Sequence, residues 1–197
     1  ERYPHIQFSQ FMGAEMIAKK YDQTKDQLDE FAFNSHQKAI STTKSGAFKD
    51  EIVPLEVTLP DGKKEMHTVD EGIRFDASLE GIKGVKLLQE GGRVTAATSS
   101  QICDGASGML VVNERGLKAL GVKPLARIVH MTVIGHDPVI MLEAPIPATL
   151  SALKKADMKI DDIDLYEVNE AFAPVPVAWL RETGGDPAKL NVNGGAI

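Results

Sequence analysis

Cysteine is almost absent from this sequence, since Cys103 is the only one among 197 residues. A single thiol excludes an internal disulfide framework and a zinc site built from several cysteines, and it fits a reducing compartment best. The five histidines stand at no spacing typical of metal ligands, so we predict no metal site.

Long apolar runs and an excess of basic residues are also lacking. No uncharged apolar stretch approaches the roughly 20 residues that cross a bilayer, and the opening ERYPHIQFSQ has no apolar core of a secretory signal. The net charge of −6 is not the electrostatic footprint of a nucleic-acid binder. We therefore expect a soluble globular protein with no membrane and no nucleic acid among its partners.

Helix patterns and a hairpin occupy the first part of the chain. The stretch 24–46 begins with a capping threonine, carries Gln27 three positions later and ends in a glycine, which together predict a capped helix. A shorter amphipathic helix is predicted over about 12–21. Alternating apolar and polar residues around the Pro-Asp-Gly at 60–62 are typical of a hairpin turn.

Strand and helix patterns alternate in the second part, which is typical of an α/β layer. A buried strand is predicted over 109–112, before a helix that ends near Gly121, and a boundary is predicted near 121–124. Beyond it we predict strands and helices in turn over 126–133, 147–156, 163–168 and 173–182, with another strand starting at Asn191.

The polar pair Asn169-Glu170 stands between the predicted strand 163–168 and the helix that follows. In open α/β sheets, groups that do chemistry gather at the carboxyl ends of strands, beside the unpaired N–H groups of helix N-termini. A helix cap is needed at the same place, with Pro174 and Pro176 tolerated in the first turn. Position alone leaves both interpretations open.

Around this pair the sequence resembles the thiolases, enzymes that cleave or form 3-ketoacyl-CoA. Two successive signature segments of that family are similar to VNEAF at 168–172 and NVNGGAI at 191–197. The likeness continues, in the family's order and approximate spacing, through AEMIAKKY, FKDEIVPLEV, DEGIRFDASLE, VTAATSSQICDGA, ARIV, GHDPVIM and PIPATLSALKKA. One short motif is weak support, whereas the ordered set identifies the chain as a member of the family.

The resemblance implies an α/β fold of two similar halves, each with a mixed five-stranded sheet, plus an inserted α+β loop domain that holds coenzyme A. Residues 1–123 resemble the end of the N-terminal half, with the loop domain over about 1–103, and residues 124–197 resemble the start of the C-terminal half. Both ends fall in signature regions, so we expect an internal fragment of a thiolase, truncated at both ends.

The family's reaction uses a nucleophilic cysteine that takes the acyl group as a thioester, a histidine in a Gly-His-Pro segment, and a second cysteine as acid or base. None of these has a counterpart at a matching position in this sequence. Cys103 lies where relatives carry a small polar residue, and we expect it to be structural. The intact protein is expected to be an acyl-CoA acyltransferase working by ping-pong Claisen chemistry, and the fragment itself to be inactive.

Site residues are carried over from the resemblance one at a time. Asn169 matches an asparagine that holds a water for the oxyanion hole, where an amide donates and accepts hydrogen bonds without changing charge. Glu170 is expected to support the local network. Contacts with coenzyme A or the acyl chain are implied for Arg74, Ala96, Ser100, Met141, Ala171 and Phe172. Surface charge for Arg74 and core packing for Met141 and Phe172 are the plain alternatives.

Two departures from the family pattern affect the expected substrate tunnel. Phe11 replaces a residue that is often glycine, and Ala97-Thr98 replaces a frequent Gly-Asn pair. The detailed shape of the tunnel therefore does not follow from the resemblance.

The resemblance also implies partners and leaves alternatives. Coenzyme A and acyl-CoA are the expected substrates, with no permanently bound cofactor, and the intact protein is expected to be a homodimer or homotetramer. A non-catalytic acyl-CoA or lipid-binding homologue, or a piece that serves only an oligomer interface, are the other hypotheses. A bacterial source predicts a cytoplasmic location. The acyl chain length, the favoured direction and the pathway, in fatty acid metabolism or elsewhere, stay open.

Overall fold

The computed structural model describes residues 2–197, which form helices, short 3-10 turns and one hairpin. The helices and strands are α1 (Gln10–Lys20), α2 (Lys25–Ser45), β1 (Leu55–Thr58), β2 (Lys64–His67), α3 (Leu79–Lys83), α4 (Glu114–Leu120), α5 (Pro145–Ala156) and α6 (Pro174–Thr183). No helix in this range has both the length and the apolar character that crossing a membrane demands.

Helix α2 is the longest of these elements because its sequence encodes both ends. The Thr24 hydroxyl accepts the N–H of Gln27, and the Gln27 side chain accepts the N–H of Thr24 in return. Gly46 ends the helix at φ +76°, a conformation that favours glycine. The predicted helix over 24–46 is confirmed, as are, within about two residues, the four others predicted near α1, α4, α5 and α6.

The core lies where α1, α5 and α6 pack together and where α2 covers the residues before α6. One buried cluster surrounds α6 and consists of Ile17, Ile140, Ile146, Tyr166, Val168, Val175, Ala178, Trp179 and Leu190. The second consists of Ala14, Ala18, Leu28, Ala32, Val94, Phe172, Ala173 and Ile197. Helix α1 contributes to both clusters, so the stretch 166–173 is held between them.

The predicted hairpin is confirmed as β1 and β2, which pair antiparallel in the register Leu55 with His67 and Thr58 with Lys64. Gly62 has φ +83° in the connecting turn, and the Lys63 N–H donates to the Asp61 carboxylate at 3.0 Å. Asp61 and Gly62 therefore show the side-chain hydrogen bond and the positive φ that these residue types predict for a turn.

The strands predicted over 109–112 and 126–133 are wrong. Neither segment has a ladder partner among residues 2–197, and Met109 is 87% and Val133 98% exposed. An apolar pattern reports a preference of side chains, whereas a strand also needs a neighbouring backbone to share its hydrogen bonds.

The predicted strand over 163–168 and the one starting at Asn191 keep a single pairing. Tyr166 and Leu190 form a parallel bridge, in which the Tyr166 N–H donates to Lys189 and the Asn191 N–H donates to Tyr166, both at 2.9 Å. The two segments therefore run side by side as the α/β pattern predicts, but over one bridge and not as full strands.

Candidate active site

The pair Asn169-Glu170 does not cap α6. The N-cap of that helix is Ala173, which makes no side-chain capping bond, and Pro174 occupies the first helical position. The capping interpretation is therefore wrong, and other contacts must explain why an amide and a carboxylate stand at this junction.

Glu170 is buried, with 1% of its surface exposed, and it anchors the backbone of this segment. Its carboxylate accepts the Ser35 hydroxyl at 2.6 Å and the Asn191 side-chain amide at 2.7 Å. Asn191 also holds Val168, accepting its N–H at 2.9 Å and donating to its carbonyl at 2.8 Å. The residues on both sides of Asn169 are thus fixed by buried hydrogen bonds.

Ser35 and Asn191 belong to this site, and sequence reasoning did not assign them to it. Ser35 is buried on α2 among the apolar residues that this helix turns toward the core, and its hydroxyl also accepts the Gly195 N–H at 3.0 Å. A polar residue on an apolar helix face is the signal that could have found it, because buried hydroxyls need partners. For Asn191, the signal in the sequence was its place at the start of the second signature segment.

Asn169 itself is exposed and lines a cavity of about 260 Å³. The wall also includes the hydroxyl-bearing Thr132 and Thr149, and Trp179 donates its indole N–H to Thr149 at 2.9 Å. The Thr132 hydroxyl oxygen is buried and has no partner among residues 2–197. The Thr149 hydroxyl also donates to the Pro145 carbonyl at 2.8 Å, so Asn169 is exposed on a wall whose hydroxyl groups are buried or already hydrogen-bonded.

Glu167 lies on the same cavity wall as Asn169. Burial raises the pKa of its carboxyl, and the nearby Glu170 carboxylate raises it further. The protonated form of Glu167 is therefore favoured more at this position than it would be in water.

The segment 98–100 pairs antiparallel with 171–173. The Ser100 N–H donates to the Ala171 carbonyl and the Ala173 N–H donates to the Thr98 carbonyl, both at 2.9 Å, with Ser99 and Phe172 forming the bridge between them. Ser100 is exposed whereas Phe172 is buried. Three predicted site residues, Ser100, Ala171 and Phe172, therefore come together, and Ala96 lies on the short 3-10 turn just before them.

Phe172 and Met141 both lie against the first turns of α1. The rings of Phe172 and Phe11 meet edge to face with centroids 5.3 Å apart, and Phe11 is 55% exposed. A Cβ on Gly13 would lie 3.5 Å from the Met141 side chain and 2.9 Å from the Ile140 carbonyl, so the helix needs glycine here. Phe11 also borders a second cavity of about 640 Å³.

Arg74 is exposed and lies beside α2. Its backbone N–H donates to the buried His36 ring at 3.5 Å, and the pKa of His36 is lowered by burial and then by the Arg74 charge. The Gln101 side chain donates to the carbonyl of Gly72, which ties the Arg74 loop to the segment carrying Ser100.

Two family models match the chain in succession. The thiolase N-terminal domain matches residues 5–115, and the thiolase C-terminal domain matches residues 122–197. The chain therefore belongs to the thiolase family.

Individual relatives and solved structures agree with this membership. The steroid 3-ketoacyl-CoA thiolase FadA6 of Mycobacterium tuberculosis is 47% identical over 196 residues, covering 100% of this chain and 47% of that protein. Human mitochondrial 3-ketoacyl-CoA thiolase has 38% identity and a TM-score of 0.87, covering 98% of this chain and 49% of that one. A structure of the human enzyme in complex with CoA has 39% identity and the same TM-score.

The thiolase fold class predicted for the chain is confirmed by these structural matches. The chain spans about half the length of the curated relatives it matches. The activity, substrates and partners of a full-length protein are therefore matters of proposal.

Proposed function

We propose that the full-length protein is an acyl-CoA acyltransferase that makes or cleaves 3-ketoacyl-CoA by ping-pong Claisen chemistry. Membership of the thiolase family and relatives named 3-ketoacyl-CoA thiolase support this proposal. The single observation that carries it is an exposed Asn169 at the wall of a cavity, held between the buried anchors Val168 and Glu170. Coenzyme A and acyl-CoA are its substrates, no cofactor is resident, and the protein works as a homodimer or homotetramer.

Asn169 orients the hydrogen bonds that stabilise negative charge on the thioester oxygen. An amide donor acts strongly when it is preorganised, because no reorganisation is then needed in the transition state. The bonds from Asn191 to Val168 and Glu170 supply that rigidity. A carboxylate at this position would repel the developing oxyanion, so the neutral amide is the suitable group.

Six residues form the path of the acyl-CoA in this proposal. Ser100 and Ala96 border the pantetheine arm, and the pairing of 98–100 with 171–173 supports placing Ala171 and Phe172 next to it. Met141 borders the acyl chain with a flexible thioether. Arg74 pairs with the nucleotide end, where a guanidinium suits phosphate or adenine.

Replacing Asn169 by alanine in the full-length protein tests this function. We expect turnover in thiolysis of a 3-ketoacyl-CoA to fall about a hundredfold, because one oxyanion donor is lost, while the KM for coenzyme A stays within about twofold. Asn34→Ala is the matched control, since Asn34 is an exposed asparagine on α2. Unchanged turnover in Asn169→Ala, with chemistry shown to be rate-limiting, would contradict the role.

A further inference from the structure

Another buried carboxylate, Glu143, lies outside the network around Asn169. It is 5% exposed and accepts hydrogen bonds from three side chains. Lys20 donates at 2.5 Å, the Tyr21 hydroxyl donates to the same oxygen, and the His136 Nε2 lies 3.0 Å from the other oxygen. The sequence motifs gave no role to this group of four residues.

The hydrogen-bond partners keep Glu143 ionised despite its burial. Burial alone would raise the pKa of this carboxyl, but hydrogen bonds from Lys20, Tyr21 and His136 outweigh it and lower the pKa to about 2. Burial and the Glu143 charge together raise the pKa of the Tyr21 hydroxyl. The group is therefore a stable charged link between two parts of the chain, and removing its centre would leave several donors without their acceptor.

The link joins α1 to the turn that carries Met141. Lys20 and Tyr21 end α1, whereas His136 and Glu143 flank the turn 137–142 on either side. The same turn touches α1 at Gly13, seven residues before Lys20 and about two helical turns away, hence on the same face. Two contacts on one face of α1 thus fix the turn.

The turn needs such support because its backbone is strained. Met141 has φ +35°, which residues with a side chain rarely adopt. Its N–H donates to the Asp137 carbonyl at 2.9 Å, and the Asp137 carboxylate accepts the Val139 N–H at 2.7 Å. A conformation of this kind persists only where the surroundings hold it.

We propose that Glu143 is a positioning residue, which binds Lys20, Tyr21 and His136 and so holds the Met141 turn as a wall of the pocket for the apolar acyl chain. The nature of the ligand rests on the proposed function, in which Met141 touches the acyl chain. Coenzyme A contacts are assigned to Arg74 and Ser100, on other segments. The turn therefore controls how acyl groups of different length are accepted, without controlling coenzyme A binding.

Glu143→Gln in the full-length protein tests the proposal with two readouts. We expect amide hydrogen exchange at 140–142 to accelerate about tenfold, because the turn loses its anchor. We also expect kcat/KM for 3-ketohexadecanoyl-CoA to fall about tenfold more than that for acetoacetyl-CoA, while the KM for coenzyme A stays within about twofold. Tyr21→Phe should act in the same direction, and the double variant should be no worse than Glu143→Gln alone, since both changes break one link.

Asp29→Asn is the matched control. Asp29 is a buried carboxylate on α2, paired with Lys25 at 2.6 Å and away from the Met141 turn. The Asp29→Asn substitution should therefore lower stability and leave the acyl-length preference unchanged. The proposal would be overturned if Asp29→Asn changed the acyl-length preference as much as Glu143→Gln does. It would also be overturned if amide hydrogen exchange at 140–142 were unchanged in Glu143→Gln. Tyr21→Phe carries the same test if Glu143→Gln fails to fold. A wild-type protein that turns over no 3-ketoacyl-CoA contradicts the proposed function, whereas the exchange measurement still decides whether Glu143 holds the turn.

Discussion

At the scale of single residues, two buried glutamates organise separate parts of the candidate site. Glu170 is bound by Ser35 and Asn191 and fixes the backbone on one side of Asn169. Glu143 is bound by Lys20, Tyr21 and His136 beside the Met141 turn. Removing a carboxylate from water costs several kcal/mol unless donors replace the lost solvation, so each glutamate requires a definite arrangement of its neighbours.

The low pKa of Glu143 predicts a pH dependence of stability. Its folded-state pKa of about 2 lies below the ordinary value of 4.5, so the unfolded chain binds the proton more readily. The resulting stabilisation is complete above pH 4.5 and is lost as the pH falls toward 2. After allowance for solvent around the half-exposed Lys20, its size is on the order of 2 kcal/mol.

Urea unfolding of wild type and Glu143→Gln at several pH values between 7 and 2 checks this linkage. The wild type should lose more unfolding free energy than the variant between pH 4.5 and 2, because glutamine does not titrate. Other carboxylates contribute equally to both proteins, so the difference reports Glu143 alone. Parallel pH profiles for the two proteins would contradict the prediction.

At the scale of elements, α2 connects the core to the site. Leu28 and Ala32 pack in the second buried cluster, Ser35 binds Glu170, and Lys38 donates to the Leu190 carbonyl at 2.7 Å. Ser35 also accepts the Gly195 N–H at 3.0 Å, so this one helix touches both signature segments. Its ends matter for the site because a shift of the helix would move Ser35 and Lys38 together.

The capping box of α2 predicts a measurable contribution to stability. Thr24→Ala should lower the unfolding free energy of the full-length protein by about 1 kcal/mol, since the Gln27 N–H loses its acceptor. Ser41→Ala is the matched control, because Ser41 is exposed in the same helix away from its ends. Chemical denaturation compares the two variants, and equal stability of both would show that the capping box contributes little.

At the scale of the whole molecule, apolar side chains are exposed over a long part of the chain. Ile102 is 105%, Leu125 104% and Val133 98% exposed in the structure of residues 2–197. Exposed apolar surface of this extent is unusual for an isolated soluble domain.

The 197-residue chain expressed by itself should therefore bind a hydrophobic dye and unfold with low cooperativity. We expect ANS fluorescence to rise when the dye is added, because apolar side chains over 102–133 are open to it. Changing Ile102, Leu125 and Val133 to serine should reduce that fluorescence. A cooperative, reversible melt of the monomer without dye binding would contradict the expectation.

Local chemistry explains which predictions from the sequence succeeded. The helix over 24–46 and the turn at 60–62 depend on contacts between residues at most four positions apart, and both are confirmed. The strands over 109–112 and 126–133 depend on a backbone partner that no local pattern supplies, and both are wrong. The assigned site residues remain predictions, and the kinetic experiment above tests Asn169 among them.

By itself, the sequence determined the ends of α2, the hairpin, the family and the place of Asn169 inside the first signature segment. Only the tertiary structure decided that Glu170 binds Ser35, that segment 98–100 pairs with 171–173, and that Glu143 joins α1 to the Met141 turn. The physical reason is the separation along the chain between the groups that interact. Caps and turns are satisfied within a few residues, whereas a buried carboxylate accepts donors from wherever the fold brings them, here from residues more than 100 positions away.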